Sequence, residues 1–222
     1  MPLTVVIPTL NASVELPATL HALGNAPGEV LIADGGSTDD TVMVAEAHGA
    51  TVIQAGCGRG AQLCAGIAAT EAPWLLLLHA DTHLSDGWQR AVQHHVRENP
   101  GAAGYFRFAL RSADPRARRL ERLVAWRCRL FALPYGDQGL LISTTLLAEV
   151  GGIRPLVLME DVDLVGRLGR RRLKLLNATA ASSAVRWEQD GWYRRSLRNL
   201  LCLGLWAAGM PASRIARLYY CR

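Results

Sequence analysis

Residues 28–41 read GEVLIADGGSTDDT, and residues 74–84 read WLLLLHADTHL. Each begins as a short run of Val, Ile or Leu and then reaches a carboxylate, Asp34 in the first and Asp81 in the second. A short continuous apolar run bounded by turn residues is the pattern of a strand buried on both faces, as in a parallel sheet. In open α/β sheets the ligand crevice lies outside the carboxyl ends of the strands. Aspartates at two such ends predict a site that handles a nucleotide and a cation.

Working outward, the N-terminal half alternates strand and helix. Strands are predicted over 4–7, 29–33, 50–54 and 74–79, with the last of these central. Helices are predicted over 14–23, from Ser37 and Thr38 to Gly49, over 61–69 and over 88–96. Ser37 and Thr38 offer N-cap hydroxyls, and Asp39 and Asp40 would occupy the first turn. Repeated βα order implies parallel strands with right-handed crossovers.

The second half is less regular. Strands are predicted over 103–110 and 140–143, with an edge strand over 173–176. Helices are predicted over 116–133, 145–150 and 161–170, with a last helix over 192–208. The 116–133 helix would bury Leu120, Val124, Cys128 and Phe131 and leave its arginines elsewhere on the surface. Without repeats, linkers or low-complexity stretches, residues 1–222 read as one domain.

The 222 residues, half of them hydrophobic, suffice for one packed core. No basic n-region precedes an apolar stretch at the start, and the longest apolar runs are too short to span a bilayer. Five cysteines form no CxxC pair, and their odd number argues against a disulfide framework, so a reducing cytoplasm is expected. The net charge of +5 hides an asymmetry. Residues 1–100 hold three Lys and Arg against ten Asp and Glu, a net −7, whereas residues 101–222 hold 21 against nine, a net +12. Such a basic half suits an anionic small acceptor or an anionic membrane surface, or it simply solvates helix faces. No interleaving of aromatic with basic residues marks an RNA-binding surface, so nucleic acid is set aside.

Five motifs occur in register: VVIPTLN (5–11), ADGGSTDDT (33–41), GRGAQLCAG (58–66), LLHADT (77–82) and MEDVDL (159–164). In order and spacing they resemble family 2 glycosyltransferases of the GT-A fold. Within that family the chain is most similar to a small bacterial subfamily associated with radical-SAM and selenium-domain proteins. Nearly the whole chain is covered by the resemblance. It implies a Rossmann-like, mostly parallel central sheet with flanking helices. Residues 1–100 would form the nucleotide-sugar and metal half, and residues 101–222 the acceptor half.

The resemblance also assigns roles. Asp34 would accept the N–H of a uracil ring, although an Asp before Gly-Gly is otherwise a turn former. Pro8, Thr9 and Asn11 would flank the same pocket, and Ala80 would join the donor contacts. Asn11 precedes Ala12, where many relatives carry an acid. The family's Asp-x-Asp motif reads His79-Ala80-Asp81 here. Asp81 matches the metal-binding acid, and Mg²⁺ or Mn²⁺ suits hard oxygen ligands. His79 stands in place of the first acid. Its imidazole is a further candidate ligand, a ribose partner or a packed histidine.

Arg59, between two glycines at a helix start, matches the basic residue that reaches the donor in relatives. Gln62 and Gln138 are candidates for sugar hydroxyls. Glu160-Asp161 matches the family's acidic pair, with Asp161 as general base and Glu160 either on the acceptor side or in support. The alternative is that acids simply favour a first helical turn, which better explains Asp163. Gly136-Asp137-Gln138-Gly139 would lie between donor and acceptor. Trp187, with Trp192 and Tyr193, forms either a lid on the acceptor side or core.

The expected function is an inverting, metal-dependent transferase that moves a sugar from a nucleotide donor, a UDP-sugar first, to a hydroxyl acceptor. A non-catalytic nucleotide-sugar binder is the alternative that His79 motivates. A sugar-nucleotide pyrophosphorylase is disfavoured, because residues 5–15 lack the Gly-rich loop with Arg and Lys that such enzymes use.

Overall fold

The computed structural model describes residues 2–25 and 27–220. One eight-stranded sheet runs through both halves of the chain in the order β3-β2-β1-β4-β7-β6-β8-β5. Strands β1 (Leu3–Thr9), β2 (Glu29–Asp34), β3 (Thr51–Gln54) and β4 (Trp74–Leu77) are mutually parallel. Strand β7 (Leu140–Ser143) is antiparallel to both β4 and β6 (Ala103–Arg111), so β6 runs in the direction of the first four. Strand β8 (Leu173–Ser183) is parallel to β6, and β5 (Thr82–Leu84) is antiparallel to β8. The β4–β7 pairing joins the two halves into one structure.

The apolar runs at 28–41 and 74–84 do form strands buried on both faces. Along β4, Leu75 and Leu77 enter the core layer on one side of the sheet, while Trp74 and Leu76 enter the other. Val6 and its neighbours Val5 and Ile7 divide the same way along β1. The first layer is closed by α3 (Arg59–Ala68), α5 (Pro115–Phe131), α6 (Thr144–Glu149), α7 (Glu160–Leu168) and the start of α9 (Trp192–Ala207). The second is closed by α1 (Leu16–Leu23), α2 (Thr41–Ala47) and α4 (Trp88–Glu98). Helix starts follow local chemistry: Asp114 accepts from Arg116 N at 2.8 Å ahead of Pro115, and Ser143 accepts from Leu146 N at 3.1 Å.

Several boundaries differ from the sequence expectation. Helix α2 begins at Thr41 and has no side-chain cap, because Ser37 and Thr38 are engaged with Asp34 and Asn11. Strand β4 ends at Leu77, which leaves His79 in a loop. The expected edge strand at 173–176 is the 11-residue β8, which lies inside the sheet between β6 and β5. A register shift between Tyr105 and Arg107 separates its two pairing segments. Helix α8 (Val185–Asp190) precedes α9, and α10 (Ala212–Tyr220) follows it after Pro211. Phe131 is 60 % exposed instead of completing the buried stripe of α5. The four described cysteines are free, Cys221 lies outside the described residues, and no described helix is long and apolar enough to cross a membrane.

Candidate active site

A cavity of about 170 Å³ opens beyond the carboxyl end of β4. Its wall includes Arg59, His79, Asp81, Asp137, Asp161 and Trp187. A narrower cavity adjoins it, shares Arg59, His79 and Asp161, and adds Pro8 and Glu160. Eight of the residues expected from sequence therefore meet in one place. They come from the end of β1, the start of α3, the β4–β5 loop, the 3-10 turn Gly136–Gln138, the start of α7, and α8.

Asp161 is held in position by the backbone. Its Oδ2 accepts from Gly136 N at 2.7 Å, and its Oδ1 accepts from Val162 N at 2.7 Å. A Cβ at position 136 would lie 2.6 Å from His79 Nε2 and 3.3 Å from Asp161 Oδ2, so only glycine lets this turn approach both groups. Met159, at the N-cap of α7, adopts φ 67° and turns the acidic pair toward the cavity. Glu160 is buried; its Oε1 pairs with Arg59 Nη1 at 3.3 Å, while its Oε2 has no partner. Burial and the neighbouring Asp161 charge raise the Glu160 carboxyl, against the lowering pull of Arg59.

Two further groups face the cavity without a partner. Asp137 Oδ1 is enclosed and unbonded, and burial pushes its carboxyl up to about 6, helped by Asp161 and Asp81 against Arg127 and Arg59. His79 Nε2 is likewise enclosed and unbonded. Burial, reinforced by the Arg59 and Arg186 charges, holds its imidazole well below the usual histidine range. A neutral imidazole with a free ring nitrogen can bind a cation or a hydroxyl. Among the described residues no group of three or more His, Cys, Asp and Glu can hold a metal ion alone. The donor set instead fits the mode in which one or two protein groups share a hard cation with substrate phosphates.

Thr9, Asn11, Asp34, Gln62 and Ala80 line neither cavity. Asp34 is 1 % exposed and accepts four hydrogen bonds, from Thr9 Oγ1, Ser37 Oγ, Gly36 N and Ser37 N. Burial would raise its carboxyl, but these bonds outweigh it and hold the group below its ordinary value. Asn11 Oδ1 accepts from Thr38 N at 2.9 Å and so ties the β1–α1 loop to the β2–α2 loop. The Ala80 carbonyl accepts from Thr19 Oγ1 at 2.7 Å.

Gln62 and Gln138, the expected partners of sugar hydroxyls, instead serve the protein. Gln62 Nε2 donates to the carbonyls of Thr9 and Ala33. Gln138 Nε2 donates to Phe106 O, and its Oε1 accepts from Tyr135 N, Arg127 Nη2 and Cys128 Sγ. Gln138 thereby fixes the turn that carries Asp137. Asp163, read as a helix-start acid, pairs with Arg154 and Arg167. Of the aromatic trio, Trp187 lines the cavity and stacks on Trp192 with centroids 6.1 Å apart, Trp192 is core, and Tyr193 is 73 % exposed.

Tyr135, Ser182 and Arg186 also line the cavity, although sequence reasoning did not single them out. Ser182 Oγ donates to Asp137 O at 3.1 Å and meets Thr82 Oγ1 at 2.9 Å. Ser182 and Arg186 lie beyond the expected end of the 173–176 strand, in segments whose small polar residues give no periodic signal. Tyr135 adjoins the Gly136-Asp137-Gln138-Gly139 motif, and that adjacency was the available clue.

The family model described as Glycosyl transferase family 2 matches residues 4–154. Curated proteins of Mycobacterium bovis and Mycobacterium tuberculosis, each named an uncharacterized glycosyltransferase, are 40 % identical over 85 residues. Those alignments span 38 % of this chain and 38 % of the relatives' own length. Among solved structures, the fold is similar to glucosyl-3-phosphoglycerate synthase from Mycobacterium tuberculosis in complex with Mn²⁺, UDP and glucosyl-3-phosphoglycerate. The TM-score is 0.53 at 22 % identity, covering 82 % of this chain and 70 % of that one. It is also similar to TarS residues 1–349 of S. aureus in complex with UDP, at a TM-score of 0.63 and 16 % identity, covering 83 % and 61 %.

Proposed function

We propose, from the premise that the chain belongs to glycosyl transferase family 2, that it moves a sugar from a nucleoside-diphosphate donor to a hydroxyl acceptor with inversion. A UDP-sugar is the first candidate donor, since the similar structures named above were solved with UDP. One observation carries this reading: segments far apart in sequence bring Arg59, His79, Asp81, Asp137 and Asp161 to a single cavity. The finer likeness, to the radical-SAM-associated subfamily, extends to residues 136–139, whose turn carries Asp137 and the Gly136 N–H that holds Asp161.

In the proposed reaction the acceptor oxygen bonds to the anomeric carbon as the bond from that carbon to the diphosphate oxygen breaks. Asp161 takes the acceptor's proton. Its two backbone hydrogen bonds fix the carboxylate plane and leave a lone pair on each oxygen for an incoming hydroxyl. Glu160, paired with Arg59, keeps that arginine at the start of α3, where it faces the departing phosphates. Asp81 would hold Mg²⁺ or Mn²⁺, with His79 as the second candidate ligand. When bound, the ion supplies positive charge that stabilises the leaving diphosphate. Asp137 and Trp187, at the same cavity, would serve the acceptor side. Arg186 at the same wall favours a small acceptor that carries negative charge.

Calorimetry of UDP with and without Mn²⁺ tests the donor site. Mn²⁺ should strengthen UDP binding by the parent, and Asp81→Ala should abolish that enhancement. An unchanged metal effect in Asp81→Ala removes Asp81 from the metal site. UDP binding without release of UDP from any UDP-sugar, acceptors included, would favour the non-catalytic binder.

A further inference from the structure

The outer surface of the C-terminal helices carries a second feature. Helix α9 turns Arg195, Asn199 and Cys202 inward, where they form part of the cavity wall. On its other side Tyr193, Leu197, Leu200 and Leu201 are 73 %, 68 %, 65 % and 57 % exposed. Their i, i+4, i+7, i+8 spacing makes one continuous stripe opposite the cavity-lining face. Helix α5 repeats the pattern: Leu123, Trp126 and Leu130 are 63 %, 58 % and 45 % exposed. Phe131 packs edge-on against Trp126 with centroids 6.0 Å apart. The two helices approach at their starts, where the Arg116 guanidinium lies 5.7 Å from the Trp192 ring centroid.

Single exposed leucines are ordinary on a protein surface, whereas stripes along two neighbouring helices are not. Charge decides what covers them. Arg194 borders the α9 stripe, and Arg119, Arg122 and Arg129 border that of α5, all of them exposed. Residues 101–222 carry a net +12, so a second copy presenting the same face would set like charges together. An anionic bilayer meets both demands, taking the Leu, Trp and Tyr side chains at the headgroup boundary and the guanidinium groups at the phosphates.

We propose that the outer faces of α9 and α5 dock on an anionic lipid surface. Docking sets the thickness of one helix between the headgroups and the cavity, because α9 carries the stripe on one face and forms the cavity wall with the other. The proposal rests on the surface and not on the donor reading, so UDP binding serves as an independent control.

The test is flotation with phosphatidylcholine vesicles, with and without phosphatidylglycerol, across a salt series. The parent should float with the phosphatidylglycerol vesicles and be released as salt shortens the Debye length below about 10 Å. The double variant Leu197→Glu/Leu201→Glu should lose binding by about tenfold or more, with melting temperature and UDP affinity unchanged. If that variant melts lower, Leu197→Ser/Leu201→Ser is the milder replacement, and the parent's salt series stands without any variant. Failure of the parent to float, or undiminished binding by folded variants, overturns the proposal. So does sedimentation velocity showing a parent dimer that the same substitutions dissolve, which would assign the stripe to a second copy.

Discussion

The loops at the ends of β1 and β2 and the loops beyond β4 belong to the same sheet but treat their polar atoms in opposite ways. In the first region nearly every polar group is satisfied within the protein. Asp34 accepts four hydrogen bonds, Gln62 spans two strand ends, and Asn11 ties one loop to the next. In the second, His79 Nε2, Asp137 Oδ1 and Glu160 Oε2 are enclosed without a partner. An unsatisfied buried polar group costs on the order of 1–3 kcal/mol, and such groups are rare in native proteins. Three of them lie around the cavity where the proposed donor and acceptor would complete the bonding. In the satisfied region the internal hydrogen bonds fix the shape of the two loops.

The largest effect should come from the incomplete region. Asp161→Asn keeps the size of the side chain and one of its two backbone hydrogen bonds, since an amide nitrogen cannot accept the other, and it removes the basicity. Turnover measured as UDP release should fall roughly a hundredfold or more, about 2.7 kcal/mol in the barrier, while UDP affinity changes little. Normal turnover would make the acidic pair a helix-start feature and place the base elsewhere.

Next in size is the opposite result in the satisfied region. Asp34→Ala strands the donors of Thr9, Gly36 and Ser37 and should destabilise the fold by about 2 kcal/mol in urea unfolding at neutral pH. The Asp34 carboxyl lies below its ordinary value of 3.8, so its contribution is present above that pH and is lost as pH falls through the folded value. The difference between parent and variant should therefore shrink in acid. A variant as stable as the parent, and still indifferent to acid, would mean that these bonds contribute nothing net.

The smallest effect carries the reverse sign. Asp137 is raised from 3.8 to about 6, so the folded protein binds a proton more tightly than the unfolded chain. Ionised Asp137 thus penalises the ligand-free fold above pH 6, and the penalty fades as pH falls toward 4. Asp137→Asn should stabilise the ligand-free protein at pH 7.5 by about 1 kcal/mol, allowing for relaxation around a half-buried group, and by almost nothing near pH 4. Thermal melts at both values check the sign. A variant less stable than the parent at pH 7.5 would show that Asp137 is satisfied after all and that the comparison fails there.

Much of the first half was legible because its physics is local. Runs such as 29–33 and 74–78 are too short for a helix and are followed by turn residues, so they read as buried strands with a site beyond their ends, although the second strand stops at Leu77. The candidate residues at 59, 81, 160 and 161 followed from motif order and meet at the cavity. The glutamines misled. Gln62 and Gln138 carry the polar amides that sugar binding needs, but an amide facing backbone carbonyls satisfies the fold just as well, and sequence does not tell the two apart. The aromatic pair at 192 and 193 split for a similar reason, since neighbouring residues on a helix face different sides.

Legible in the residues alone were the alternation of strand and helix in the first half, the placement of Asp34 and Asp81 past the carboxyl ends of apolar runs, and the concentration of positive charge after residue 100. These depend on short-range patterns of apolar and charged residues. Only the tertiary structure decided that β8 is interior, that β5 pairs with it across nearly 100 residues of sequence, and that Ser182 and Arg186 reach the cavity. It also decided which polar groups are satisfied and which are left open. The physical reason is that bonding and burial are properties of pairs, and these pairs form between segments whose own sequences do not specify one another.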